Sequence, residues 1–177
     1  QGDYRTGIGS AIITRWKVHQ NIPQPKPYSQ QVTLKLPNGR LVDCINFHLS
    51  SARIDIRLWT KSCWVNHAQN RKVQRREVTY SLEHLKQTTP FPTHPVVCAG
   101  DFNAPASDPL HDILLLHFND SFSEAGTGWA NTWHRRIPMH RLDYIYTSPL
   151  LKAVRSRTVK IPVSDHRMLV SDFLLIP

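Results

Sequence analysis

Apolar residues recur with period two along Val32, Leu34 and Leu36 and again through Leu41 to Leu49, with Asn38-Gly39 between the two runs. Alternation of this kind predicts half-buried strands, and Asn-Gly is the strongest short-range signal for a hairpin. Upstream, Gly7 to Ile13 reads as a Gly-containing strand running towards Trp16, and Pro23, Pro25 and Pro27 mark an extended connection. The period then changes. Val78, Leu82 and Leu85 stand at i, i+4 and i+7, which predicts a helix over roughly 62–87 with one buried stripe. Val96-Val97-Cys98-Ala99 is a run of small apolar residues and reads as a short strand buried on both faces. Ser107 or Asp108 can cap a short helix with Pro109 in its first turn and Leu110, Ile113 and Leu114 on its buried face. Further strands are expected over 141–146 and 168–176.

Polar residues gather where these strands end. Directly after the apolar run come Gly100, Asp101, Phe102, Asn103, Ala104 and Pro105, and Pro105 stops regular structure. In an extended chain Asp101 and Asn103 point the same way and Phe102 points back into the core. An acid and a neutral amide at the mouth of a sheet suit a phosphate and a metal-held water. A strand followed by an Asp/Asn-rich turn accounts for this stretch alone equally well. His48 closes its own strand, an ordinary place for a polar residue, and Asn46 on the same face is read as structural. Asp143 lies opposite to Leu142 and Tyr144 and needs a partner to be more than a solvent-facing acid. The turn Val163-Ser164-Asp165-His166-Arg167 offers one, although adjacent residues of a regular strand diverge, so Asp165 and His166 converge only through a turn. Asp120 reads as a turn residue. No Gly-x-Ser-x-Gly elbow is present, and Gly7 and Gly9 lack the further glycine and following helix of a dinucleotide fingerprint.

Composition narrows the class. A length of 177 residues fits a single domain, expected to span 1–177, large enough to bury roughly 70% of its unfolded surface. No apolar run approaches the ~20 residues of a membrane-spanning helix. The net charge of +9, from 22 Lys and Arg against 13 Asp and Glu, favours a polyanionic partner. Arg53, Arg57, Lys61 and Trp59 form a basic loop with an aromatic, and Arg71, Lys72, Arg75 and Arg76 continue it along the helix. A solvated face explains most of these cations. Some are placed to line a phosphate-bearing groove, with Trp59 or Trp64 for base stacking. Cys44 and Cys98 sit in apolar runs and read as core thiols. Three cysteines without framework spacing argue against a disulfide-built secreted domain and lean towards the cytoplasm without fixing the compartment. A zinc site from Cys63 and His67 lacks a second ligand pair.

Four pieces in this order carry a resemblance: Asn46-Phe47-His48-Leu49, Gly100-Asp101-Phe102-Asn103-Ala104-Pro105, Arg141-Leu142-Asp143-Tyr144-Ile145 and Ser164-Asp165-His166. Together they resemble the endonuclease/exonuclease/phosphatase superfamily, the DNase I-like fold. The resemblance implies an α+β fold, a two-sheet β-sandwich flanked by helices, with the site where strand ends of both sheets meet. It further implies a metal-dependent phosphoesterase using Mg²⁺ or Mn²⁺ on a phosphodiester substrate, with charge and aromatics tilting that substrate towards nucleic acid. By the same resemblance Asp101 orients or deprotonates the attacking water and Asn103 holds a phosphate oxygen. His166 contacts the scissile phosphate with Asp143 fixing its tautomer, Asp165 helps bind the metal, and His48 is a second phosphate contact or proton donor.

The chain departs from the family pattern in one respect. Members usually supply an early Asn and a metal-binding Glu upstream of the Gly-x-Gly strand, and here only Gln1 to Arg5 precede it. Glu77, Glu83 and Glu124 do not match that position. The expectation is therefore an N-terminally incomplete domain, whose missing strands leave part of the core uncovered and make the segment poorly soluble. Two alternatives stay open: a catalytically incomplete module that binds phosphate or nucleic acid, and a phosphomonoesterase or lipid-headgroup hydrolase built on the same centre.

Overall fold

The computed structural model describes residues 4–7, 10–24, 29–52 and 58–176. Pro25, Pro27, Arg53 and Arg57 fall outside these residues. In chain order the elements are β1 (Tyr4–Gly7), β2 (Ser10–Ile13), β3 (Lys17–Ile22), β4 (Ser29–Lys35), β5 (Leu41–His48), α1 (Lys61–Thr88) and β6 (Val96–Asp101). There follow α2 (Leu110–Leu115), β7 (Asn119–Asp120), α3 (Ser121–Ala125), β8 (Asp143–Thr147), β9 (Leu151–Lys160) and β10 (Arg167–Leu175). A six-stranded sheet in the order β3-β4-β5-β6-β8-β7 forms the main layer, and the β9–β10 and β1–β2 pairs form two further small sheets.

Strands and helix form where the two periods place them, but β4 is buried on both faces from Gln31 to Leu34 and not half-buried, while β6 alternates between buried and half-buried positions and is not buried on both faces. Between β4 and β5 the amide of Gly39 donates to Leu36 O (2.9 Å) and Gly39 adopts φ +82°, the left-handed conformation that a glycine supplies without strain. The stretch from Gly7 to Ile13 differs from its expectation. Gly7 pairs with Ser10, and Tyr4 with Ile13, so it is half of a hairpin and not one continuous strand. Gly7 is the last described residue before the reversal, where the absence of a side chain favours a turn over strand propagation, and Gly9 lies outside the described residues.

Register sorts the side chains of the main sheet onto two faces. Phe47, Ile45, Val96, Cys98, Tyr144 and Tyr146 join Val78, Leu82 and Leu85 of α1 and Leu110 and Leu114 of α2 in one buried core. Phe102 sits inside it, fully buried, with ring centroids 5.1 Å from Phe47 and 5.7 Å from Tyr144. Cys98 and Cys44 are unpaired thiols, and burial pushes the Cys44 thiol up to about 12 and raises that of Cys98 as well. The other face carries the partners in register His48, Asp101 and Asp143, and looks away from the helices.

Two contacts set the spacing of these elements. Gly100 takes φ +141°, and a Cβ placed there would lie 2.0 Å from Phe47 O, so β6 can approach β5 this closely only with glycine. His111 is buried on the inner face of α2. Its Nε2 faces the carbonyls of Ala104 (3.2 Å) and Pro105 (3.1 Å), and Tyr146 OH lies 2.8 Å from its Nδ1, a pattern that the neutral ring satisfies. Burial holds the His111 imidazole below its ordinary value.

Gly100→Ala is expected to destabilise the fold by several kcal/mol through backbone collision and positive φ, read as a large drop in the urea midpoint. For His111 the folded state binds the proton more weakly than the unfolded chain does. Its contribution is therefore complete above about pH 6.5 and is lost as pH falls towards the lower folded value. The urea midpoint should drop between pH 7.5 and pH 5, and drop less in His111→Gln, which keeps a donor and an acceptor; equal drops would assign the acid sensitivity elsewhere.

Candidate active site

Three strand ends stand side by side at one edge of the main sheet. His48 ends β5, Asp101 ends β6 in parallel register with it, and Asp143 begins the antiparallel β8 directly opposite Asp101. His166 arrives from the turn between β9 and β10, in the second layer. Its backbone amide donates to Ser164 Oγ (3.0 Å) and it forms an isolated bridge with Trp133. Thr132, fully buried, ties this region together. Its Oγ1 accepts from the amides of Leu142 (3.1 Å) and Asp143 (3.2 Å), and its carbonyl accepts from the Arg167 amide (2.8 Å).

The result is a tight group. One ligand atom each of Asp101, Asp143 and His166 lies within 4.8 Å of the others. Asp143 Oδ2 is 2.7 Å from His166 Nδ1, which fixes Nδ1 as the donor and leaves Nε2 for other work. That hydrogen bond raises the His166 imidazole above its usual value; burial opposes it, and the charges of Asp143, Asp101 and Asp165 add to it. Burial and the neighbouring Asp143 raise the Asp101 carboxyl, against the Asn103 amide, His166 and His48. Two carboxylates and an imidazole within this distance are a donor set that a divalent cation can use.

The remaining expected residues are placed less tightly. His48 is exposed, lies one strand away from Asp101 in register, and is outside the three-residue group. Asn103 does not continue the strand. It adopts φ 49°, and its amide donates to Asp101 Oδ1 (2.8 Å), an Asx turn that keeps it beside the acid by a different route from strand alternation. Its Nδ2 donates to Leu49 O at 2.9 Å, which uses one of the two amide hydrogens. Asp165 is exposed and takes the Trp133 indole N–H at 3.4 Å, so the turn sends it and His166 to different partners. Asn46 donates to Ala11 O at 3.3 Å, a structural role as expected. Asp120 is likewise structural: although burial works against it, the Arg141 guanidinium, bound bidentately at 2.6 and 2.5 Å, holds its carboxyl below the usual range.

Sequence reasoning missed the residues that hold the loops. Gln74 and Glu77 of α1 are both buried. Gln74 Nε2 donates to the carbonyls of Ser50 (2.5 Å) and Asn103 (3.1 Å), and Glu77 accepts from the Ser50 amide (2.9 Å) and hydroxyl (2.5 Å). Arg71 is no part of a solvated face. It pairs with Asp108 at 3.2 Å and donates to Asn103 O at 3.0 Å. A signal was present, because Gln74 and Glu77 share the helical stripe of Val78, Leu82 and Leu85, where polar residues imply buried partners.

Comparison with known proteins places the fold and the family. The sequence matches the Endonuclease/Exonuclease/phosphatase family over residues 1–166. No curated protein matches the chain by sequence. Among solved structures, an endonuclease/exonuclease/phosphatase family protein from Bacteroides thetaiotaomicron is 15% identical, with a TM-score of 0.76 over 98% of this chain and 75% of that one. A mannosyl-6-phosphatase from the same organism is 16% identical, with a TM-score of 0.74 over 98% of this chain and 77% of that one. The human Nocturnin catalytic domain, solved with a bound sulfate anion, is 20% identical, with a TM-score of 0.65 over 99% of this chain and 72% of that one. The fold is therefore DNase I-like, as the resemblance of its motifs implied, and the chain belongs to the endonuclease/exonuclease/phosphatase family.

Proposed function

We propose that this chain carries the catalytic centre of a metal-dependent phosphoesterase that cleaves phosphodiester bonds, with nucleic acid as the substrate class, by in-line attack of water. The observation that supports it most directly is the convergence of Asp101, Asp143 and His166 within 4.8 Å, drawn from three separate segments of the chain. The basic net charge of +9 supports the polyanionic substrate.

In this reading Asp101 orients the attacking water and takes its proton. A carboxylate raised by burial and by a neighbouring acid is a stronger base at neutral pH than a solvated one. Asp143 holds His166 in one tautomer, so that Nε2 faces the phosphate and, when protonated, donates to a non-bridging oxygen. Asn103 directs its second amide hydrogen at another phosphate oxygen while the first stays on Leu49. His48, in register beside Asp101, contacts the phosphate from the other side or protonates the leaving group. Carboxylate oxygens suit Mg²⁺ or Mn²⁺: Asp165, beside the Trp133 indole, would help hold such an ion near Asp101, and the ion would supply positive charge against the phosphoryl oxygens.

One observation favours a second reading, a module that binds phosphate without cleaving it. Glu77 is committed to Ser50, and Glu124 to the amide of Ala153 at 3.0 Å, so neither supplies the glutamate that the family pattern adds to the metal.

With Mg²⁺ or Mn²⁺ present, Asp101→Ala and His166→Ala should each lower kcat at least about 100-fold on whichever of plasmid DNA, abasic DNA, RNA or phosphoinositide is cleaved. A wild-type protein that binds phosphate esters but cleaves none of them would select the binding module. Asp165→Asn should raise the metal concentration needed for half-maximal activity by about tenfold while leaving kcat at saturating metal nearly unchanged. An unchanged metal titration would confine Asp165 to its contact with Trp133.

A further inference from the structure

The opposite end of the main sheet carries an unassigned cationic cavity. Between Asp3 and Asp43 the sequence contains no acid, while it contains Arg5, Arg15, Lys17, Lys26, Lys35 and Arg40. The fold gathers three of these. Lys17 and Lys35 are direct partners across the antiparallel β3–β4 pair, so two like charges stand on the same face at the same level. Arg15 and Trp16 precede β3 in a turn held by Thr14, whose Oγ1 accepts the Trp16 amide at 3.0 Å. Arg15, Trp16, Lys17 and Lys35, with the turn from Leu36 to Gly39, line a cavity of about 340 Å³. All four named side chains are exposed, and the ion pairs among the described residues involve none of the three cations. The first acid of β5, Asp43, is buried and bonded to Thr33 (2.5 Å) and His94 (3.1 Å), and so does not neutralise them.

Directly opposed lysines cost the sheet stability unless an anion lies between them. A solvent-accessible indole beside three unpaired cations combines a backbone track with a stacking face. Only an unpaired base offers a π-face to such an indole, which separates a single strand from a duplex. We propose that this cavity binds single-stranded nucleic acid, with phosphates on Arg15, Lys17 and Lys35 and a base on Trp16. Lys35 lies opposite Leu41, and β5 runs from there to His48, so the cavity stands about 23 Å from the Asp101–His166 group. It is a second contact, remote from the chemistry, and adds grip on the substrate class already proposed. It does not depend on hydrolysis, because binding measured in EDTA tests it alone.

The test is fluorescence anisotropy of a labelled oligothymidine of about 16 nucleotides, titrated in EDTA over a range of salt concentrations. Lys17→Gln/Lys35→Gln should weaken binding about tenfold near 0.1 M salt and reduce the slope of log K against log salt by about 1.4, the value for two lost phosphate contacts on a single strand. Trp16→Ala should weaken binding about fivefold or more with the slope unchanged. Thermal melting of the lysine variant should be equal to or above that of the wild type, since a like-charge pair is removed; this separates lost contact from lost fold. Equal affinity and slope in wild type and the lysine variant would overturn the proposal. So would lysine-dependent binding of phosphatidylserine vesicles without binding of the oligonucleotide.

Discussion

The mouth of the sheet is held by polar side chains that α1 carries into the core. When a chain leaves a buried strand its peptide groups lose their ladder partners, and each one left unpaired costs about 1–3 kcal/mol. Here the loops after β5 and β6 solve that problem on one helix. Gln74 takes the carbonyls of Ser50 and Asn103, and Glu77 takes the amide and hydroxyl of Ser50. Arg71 adds a second bond to Asn103 O and ties the same loop to Asp108 ahead of α2. Asp101 and Asn103 are consequently fixed by groups that never face the site, and Gly100 lets the two strands come close enough for one helix to reach both loops.

On the opposite face the same edge stores electrostatic tension. Asp101 and Asp143 face each other across β6 and β8, and both are only half-exposed, so their mutual repulsion is weakly screened. His166 answers it from the second layer by bonding Asp143, and its own imidazole is raised in turn. Nothing in packing requires this pairing of acids. A local rule broken beside a well-satisfied core marks a candidate site, and two close carboxylates favour a cation beside them.

Much of this was legible along the chain. Alternation located β4 and β5, and the stripe of Val78, Leu82 and Leu85 located α1, observed at Lys61–Thr88 against the expected 62–87. Phe102 is in the core as strand geometry required. Where the reading failed, tertiary contact had replaced local rule. Gly7 belongs to a hairpin because Tyr4 finds Ile13, a pairing that no propensity announces. Asn103 stays beside Asp101 through an Asx turn, since the chain has already left the strand. Arg71 read as part of a solvated face, and the roles of Gln74 and Glu77 went unread, because their partners are loop atoms and a carboxylate far off in sequence.

By itself the sequence determined the periodicities, the turn chemistry at Asn38-Gly39, the basic balance, the polar strand ends at His48, Asp101 and Asp143, and the polar turn that carries His166. These follow from interactions between residues a few positions apart, and a linear reading can see them. The tertiary structure alone decided that Asp143 meets His166 while Asp165 turns to Trp133, and that Lys17 faces Lys35. Those outcomes depend on strand register and on a bridge between Trp133 and His166, where a shift of one residue would send each side chain to the other face.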